Sequence, residues 1–200
     1  MMILTEVSAP TVAALPVRAF AEHLRLGRGF ADDGSLDAAL ELYLRAAIAA
    51  IEARIGQALI ARDFVWSIAR WREESCQPLP IGPVRSVSRV TLIDAEEAST
   101  DLDPATWSVV RDSQRPRLVG RFGRSLPRIP RSGRAEVRFS AGFSETWDGV
   151  PADLRQATFL LAAHFFENRS ESDAAPGTMP FGVLVLLEAY RALRIGGGRS

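Results

Sequence analysis

The chain has 200 residues, 47% of them hydrophobic, enough for one sizeable core and too apolar for a disordered segment. Its 24 basic and 24 acidic residues cancel, so no global field draws the molecule onto nucleic acid or an anionic membrane, and any such attraction has to be local. The single cysteine, Cys76, excludes an intrachain disulfide, a zinc ribbon and a CxxC redox pair, and fits a reducing compartment.

Residues 1–10 lack a basic n-region and a long apolar stretch, and the most apolar run elsewhere, 159–166, is too short for a bilayer. A protein of cytoplasmic origin with no membrane partner is the expectation. Residues 12–26 read as a short amphipathic helix interrupted near Pro16, ended by Gly27 and Gly29 in a loop through Asp32, Asp33 and Gly34. Ser35 is placed to cap the next helix, 36–55, on which Leu36, Leu40, Leu44, Ile48, Ile51 and Ile55 share one stripe. Ala39, Ala46, Ala49, Ala50 and Ala53 keep the remaining surface small enough for another helix to approach, and Gly56 suits the C-cap.

After Ile60 the apolar period changes from helical to two. Residues 64–71 read as a strand, and Pro78, Pro80 and Pro83 then force an extended connection into a second strand at 87–93. A turn at 94–97 and short strands at 107–111 and 117–122 follow. The clearest strand is the last, where Ala135, Val137, Phe139, Ala141 and Phe143 alternate with Glu136, Arg138 and Ser140. This pattern predicts a half-buried antiparallel sheet rather than a βαβ unit.

Helix returns at Pro151, which suits a first helical position, with Asp153 complementing the dipole. Leu154, Ala157, Leu161 and Phe165 form one apolar face and Phe159, Leu160, Ala163 and Phe166 another, so helix 151–168 should be covered on most sides. Phe159, Leu160 and Phe166 are therefore the expected subunit-interface residues. A polar loop, 170–180, leads to a last apolar helix at 183–193 and a Gly196-Gly197-Gly198 tail. The fold class expected is α+β, mainly a helical bundle with an inserted antiparallel β-sheet or sandwich subdomain. Residues 1–60 supply the N-terminal helices, 61–146 the β insertion, and 147–200 the C-terminal helices and flexible tail.

No chemistry-bearing constellation emerges. His23 and His164 sit in helices without metal-ligand spacing, and neither a nucleophile elbow, a P-loop nor a dinucleotide fingerprint is present. No catalytic residue, metal site or cofactor is expected. The local anomaly is a run of nine arginines between Arg111 and Arg138, opposed there only by Asp112 and Glu136. Its bland reading is a solvated face pairing with acids elsewhere. The functional one is contact with phosphates in a DNA channel or with an acidic partner, carried by Arg121, Arg124, Arg128 and Arg131. With only Phe122 and Phe139 interleaved, a stacking platform for single strands is not supported. A nucleic-acid-binding module built on this stretch is the alternative function.

Three segments carry a resemblance. They are Ala21-Glu22-His23-Leu24-Arg25-Leu26, then Leu79-Pro80-Ile81-Gly82-Pro83-Val84-Arg85-Ser86-Val87, then Phe139-Ser140-Ala141-Gly142-Phe143 running through Val150-Pro151-Ala152-Asp153-Leu154 to His164-Phe165-Phe166-Glu167-Asn168-Arg169. In this order and spacing they resemble the phage head-tail connector (adaptor, head completion) family, including its gene transfer agent versions. The resemblance implies a non-enzymatic ring of about twelve copies, assembled in the bacterial cytoplasm and placed at the head-tail junction. Its partners would be the portal protein, a tail-side stopper or tail terminator protein, and DNA passing through the lumen without sequence specificity. It also implies a portal contact in the C-terminal segment, for which Leu186, Leu187, Tyr190, Arg191 and Arg194 are the candidates.

Overall fold

In the computed structural model, residues 2–24, 36–112, 114–168 and 179–191 are described. The chain divides into two compact units, Met1–Thr11 with Gln57–Gly149, and Val12–Gly56 with Val150–Ser200. The first unit holds strands β1 (Met2–Glu6), β2 (Arg62–Ile68), β3 (Cys76–Pro78), β4 (Val84–Ile93), β5 (Ser99–Asp101), β6 (Trp107–Val110), β7 (Arg117–Gly120) and β8 (Arg134–Ala141). They form a five-stranded sheet ordered β1-β2-β8-β4-β5 and a three-stranded sheet ordered β3-β7-β6. Every pairing is antiparallel, as the half-buried alternation requires.

β8 sits at the centre of the larger sheet. Ala135, Val137, Phe139 and Ala141 are buried, with Phe139 opposite Phe64 and Val137 opposite Trp66 across the β2 register. The Phe64 and Phe139 rings stack at 5.6 Å. Trp107 and Leu118 of the smaller sheet join the same buried cluster, together with Leu79, Leu126 and Ile129 from the connections. The two sheets thus share one core. In β4 the side chains facing this core are Val84, Val87, Val90 and Leu92, with two successive steps of three that period-two reasoning misses. Two bulges, between Val84 and Ser86 and between Val87 and Arg89, each insert a residue and turn the next side chain back inward.

The sheet ends at Gly142, whose φ of +138° and close approach to Ala61 leave no room for a Cβ, which would lie 2.4 Å from Ala61 Cα. Phe143, expected to continue the strand, lies beyond this kink and is only half-buried. The strand expected at 64–71 stops at Ile68, and β1, β3 and β5 are elements that alternation over so few residues does not announce.

The second unit is helical. α1 (Val17–His23) follows a 3-10 turn at Val12–Ala14, the break falling at Pro16 as expected; the proposed stops at Gly27 and Gly29, and the capping Ser35, lie outside the described residues. α2 (Asp37–Ile55) buries Leu40, Leu44, Ile48, Ile51 and Ile55, and Gly56 closes it in the left-handed conformation at φ 69°. α3 (Ala152–Glu167) begins one residue after Pro151, which occupies the N-cap rather than the first helical position because its ψ of 139° is extended. α4 (Phe181–Leu187) is shorter than the expected 183–193 helix and tightens into a 3-10 turn at Glu188–Tyr190. α3 packs on both α2 and α4, and α1 packs on α2.

The fold class is α+β. Strands and helices claim comparable shares of the described residues, so the expected mainly helical balance is not what the structure has. No described helix is long and apolar enough to cross a membrane.

Candidate assembly surfaces

In the helical unit, the second apolar face of α3 finds partial cover within its own chain. Phe159 packs against Phe20 at 5.7 Å and His23 at 5.3 Å, and Phe166 meets Tyr43 edge-on at 5.7 Å. Leu160 is half-buried. His164 Nδ1 lies 2.8 Å from the side-chain nitrogen of Asn168, at the C-cap of the same helix.

The C-terminal candidates separate into used and unused groups. Leu187 and Val183 are fully buried, and the Tyr190 hydroxyl donates a 2.8 Å hydrogen bond to Asp153 Oδ1 at the start of α3. Asp153 therefore does more than complement the dipole: it anchors the turn that ends the C-terminal helix. Arg191 is exposed and paired with Glu188 at 3.1 Å, Leu186 is half-buried, and Arg194 lies outside the described residues. The face of α4 left to solvent is instead Phe181 and Val185, one turn apart and 80% and 57% exposed.

Burial and the Asp153 hydrogen bond push the Tyr190 phenol up to about 12. Because the folded value is raised, this contribution to stability is present below the ordinary tyrosine range near 10 and is lost as pH climbs through the folded value. An ultraviolet titration of the folded protein should show a tyrosinate step at about 12. Tyr190→Phe should abolish that step and lower stability by about 1 kcal/mol.

In the β unit the arginine run is not uniform. Arg134 forks onto Glu97 with two 2.6 Å bonds and reaches Glu136 at 3.2 Å. Arg121 donates its Nε to the Trp107 carbonyl at 2.9 Å. Arg124, Arg128 and Arg131 are exposed and have no ion pair among the described residues. Pairing with acids thus absorbs Arg134 and leaves a basic segment between Arg121 and Arg131. Its start is a tight turn that holds Phe122 at φ 56° and 90% exposed, fixed by the Arg121 and Gly120 amides bonded to Thr106 and Ser75 carbonyls.

The hydrogen bonds from Arg134 hold the Glu97 carboxyl below the usual glutamate range. A depressed folded value stabilises above the unfolded one and loses that effect as pH falls through the folded one. Wild type and Arg134→Gln should therefore differ in stability at neutral pH and converge in acid, in urea melts across pH. A constant gap would mean the pair is not the source.

Among the described residues no cluster of His, Cys, Asp and Glu is suited to a metal ion.

The chain is similar to one in the neck of an empty gene transfer agent (GTA) particle computed with C6 symmetry, at 49% identity, TM-score 0.88, over 99% of this chain and 100% of that one. It is similar at 49% identity and TM-score 0.86, with the same coverage, to one in the virion of a native GTA particle. A third, in the neck of a native GTA particle computed with C12 symmetry, matches at 45% identity and TM-score 0.84 over 99% and 100% of the chains. No protein-family signature and no curated protein matches the chain. Likeness at this level along the whole chain makes the protein a structural virion component and not an enzyme. The chain belongs to the family of gene transfer agent neck proteins.

Proposed function

We propose that the chain is a head-tail connector (adaptor) subunit, twelve copies of which ring the DNA channel between the portal vertex and the tail of a gene transfer agent or phage particle. One observation carries this reading: the near-complete match to a chain in a neck computed with C12 symmetry. The C6 neck is consistent with it, because sixfold symmetry is contained in twelvefold. A cyclic ring of more than two copies requires heterologous contacts, in which one patch meets a different patch on the next copy.

On this reading copies assemble in the bacterial cytoplasm. Helical segments within 1–60 and 147–200 form the ring's bundle, with 61–146 as an insertion. The face of α3 around Leu160, with Phe159 and Phe166 beside it, meets the neighbouring subunit, and the C-terminal segment meets the portal. A stopper or tail terminator protein covers the tail side. Arg121, Arg124, Arg128 and Arg131 face passing DNA or an acidic partner.

Particles made without the chain should be DNA-filled heads that lack tails, counted by electron microscopy; tailed particles at wild-type number would sink the adaptor role. The unpaired arginines favour a second reading, a nucleic-acid-binding module. Binding of the isolated chain to a short DNA duplex that weakens at least tenfold between about 50 and 200 mM salt would support the module.

A further inference from the structure

We infer that the free edge of β1 joins one copy of the chain to the next, by adding to the β5 edge of the neighbour's five-stranded sheet. This rests on the ring reading above. β1 is exposed at every residue, yet it is not a loose end. Glu6 pairs at 3.0 Å with Arg62, whose side chain is nearly buried and lies over the Phe64 ring at 5.1 Å.

The direction of its backbone groups follows from the register. The Val7 amide donates to the Asp63 carbonyl at 2.9 Å, and Glu6 stands opposite Phe64, so Val7 and Asp63 form a hydrogen-bonded pair. Such pairs alternate in an antiparallel ladder, which assigns Thr5–Val65 and Ile3–Ser67 to the same kind. The amides and carbonyls of Met2, Leu4 and Glu6 therefore point away from β2, toward the open edge.

Natural sheets blunt an open edge with proline, lysine, a bulge or a covering element. Among the described residues β1 has no proline, bulge or cover, and its one charge, Glu6, is held by Arg62; its sequence is Met-Ile-Leu-Thr-Glu, with Met2 69%, Ile3 43% and Leu4 41% exposed on alternating faces. Apolar side chains on both faces beside unused backbone bonds are what an incoming strand satisfies.

The occupant follows from symmetry. Pairing of β1 with another β1 makes a two-fold dimer that closes on itself and cannot propagate round a cyclic ring. The same sheet has a second open edge at β5, where Ser99, Thr100 and Asp101 are all exposed. Antiparallel neighbours throughout the order β1-β2-β8-β4-β5 make β1 and β5 run in the same direction. A β1-to-β5 contact is heterologous, parallel, and repeatable from copy to copy, as the C6 and C12 symmetry of the relatives' necks demands.

The test uses purified particles in which Cys76→Ser removes the native thiol. Leu4→Cys is combined in turn with Ser99→Cys, Thr100→Cys and Asp101→Cys, oxidised, and run on non-reducing gels. At least one pair should give a ladder of cross-linked copies that neither single cysteine gives. Leu4→Pro deletes an outward amide while keeping the bonds to β2, so the isolated chain should melt as wild type does but form no ring. Rings that contain the chain yet show no ladder with any pair, or that form normally with Leu4→Pro, overturn the edge contact alone. Particles that contain the chain in no ring at all overturn the adaptor reading instead.

Discussion

Phe139→Ala should lower the unfolding free energy of the protein by about 3–5 kcal/mol, the range for deleting a large aromatic from a packed core. Phe139 is almost completely buried in β8, the strand flanked on both sides by the longest ladders of the larger sheet. It faces Phe64 across β2 and Val87 across β4, so truncation leaves a void bordered by two strands that cannot both move inward. The lost stack on Phe64 adds about 1 kcal/mol to the area removed from burial. Phe122 is the control: it is 90% exposed at a positive φ, so Phe122→Gly should be neutral or stabilising by up to about 1 kcal/mol. Urea melts of the two variants decide the matter; a Phe139→Ala loss below about 1 kcal/mol would mean the two sheets do not share the core described.

The difference between these two phenylalanines also marks what alternation could reveal. Phe139 sits in a run where every second residue is apolar, and that run became the central strand. The Leu40 to Ile55 stripe likewise became the buried face of α2, because a 19-residue helix offers five turns over which a period can be seen. Strands of three residues offer no period, which is why β3 and β5 did not stand out. β4 is disguised further, since its two bulges stretch the two-residue repeat to three between Val84 and Val90.

Among candidate site residues, composition found the basic segment but not its partition: only the fold brings Glu97 onto Arg134 from 37 positions away. β1 is not legible in the sequence because a short run of Met, Ile and Leu looks like any apolar stretch until its partner places it on an open edge. The apolar content of the C-terminal helix does not say which apolar residues the chain itself consumes. Leu187 and Tyr190 are consumed, and Phe181, which precedes the expected 183–193 helix, is not.

That last distinction sets the second large effect. The double substitution Phe181→Asp with Val185→Asp should leave the isolated chain folded, because both side chains stand in solvent, yet reduce the number of tailed particles at least tenfold. An exposed phenylalanine and valine one turn apart form an apolar anchor of the kind that dominates interfaces, and a carboxylate at each position would have to be buried unpaired for docking to occur. Leu187→Ala separates docking from folding. It removes a fully buried side chain and should cost about 2–5 kcal/mol of stability in the free chain, an effect the aspartate pair should not share. If the double variant melts as wild type does and still joins heads to tails at wild-type frequency, the exposed face of α4 does not make the portal contact. If it fails to fold, α4 is packed on that face as well. Only a folded variant that leaves DNA-filled heads without tails fits portal docking through Phe181 and Val185.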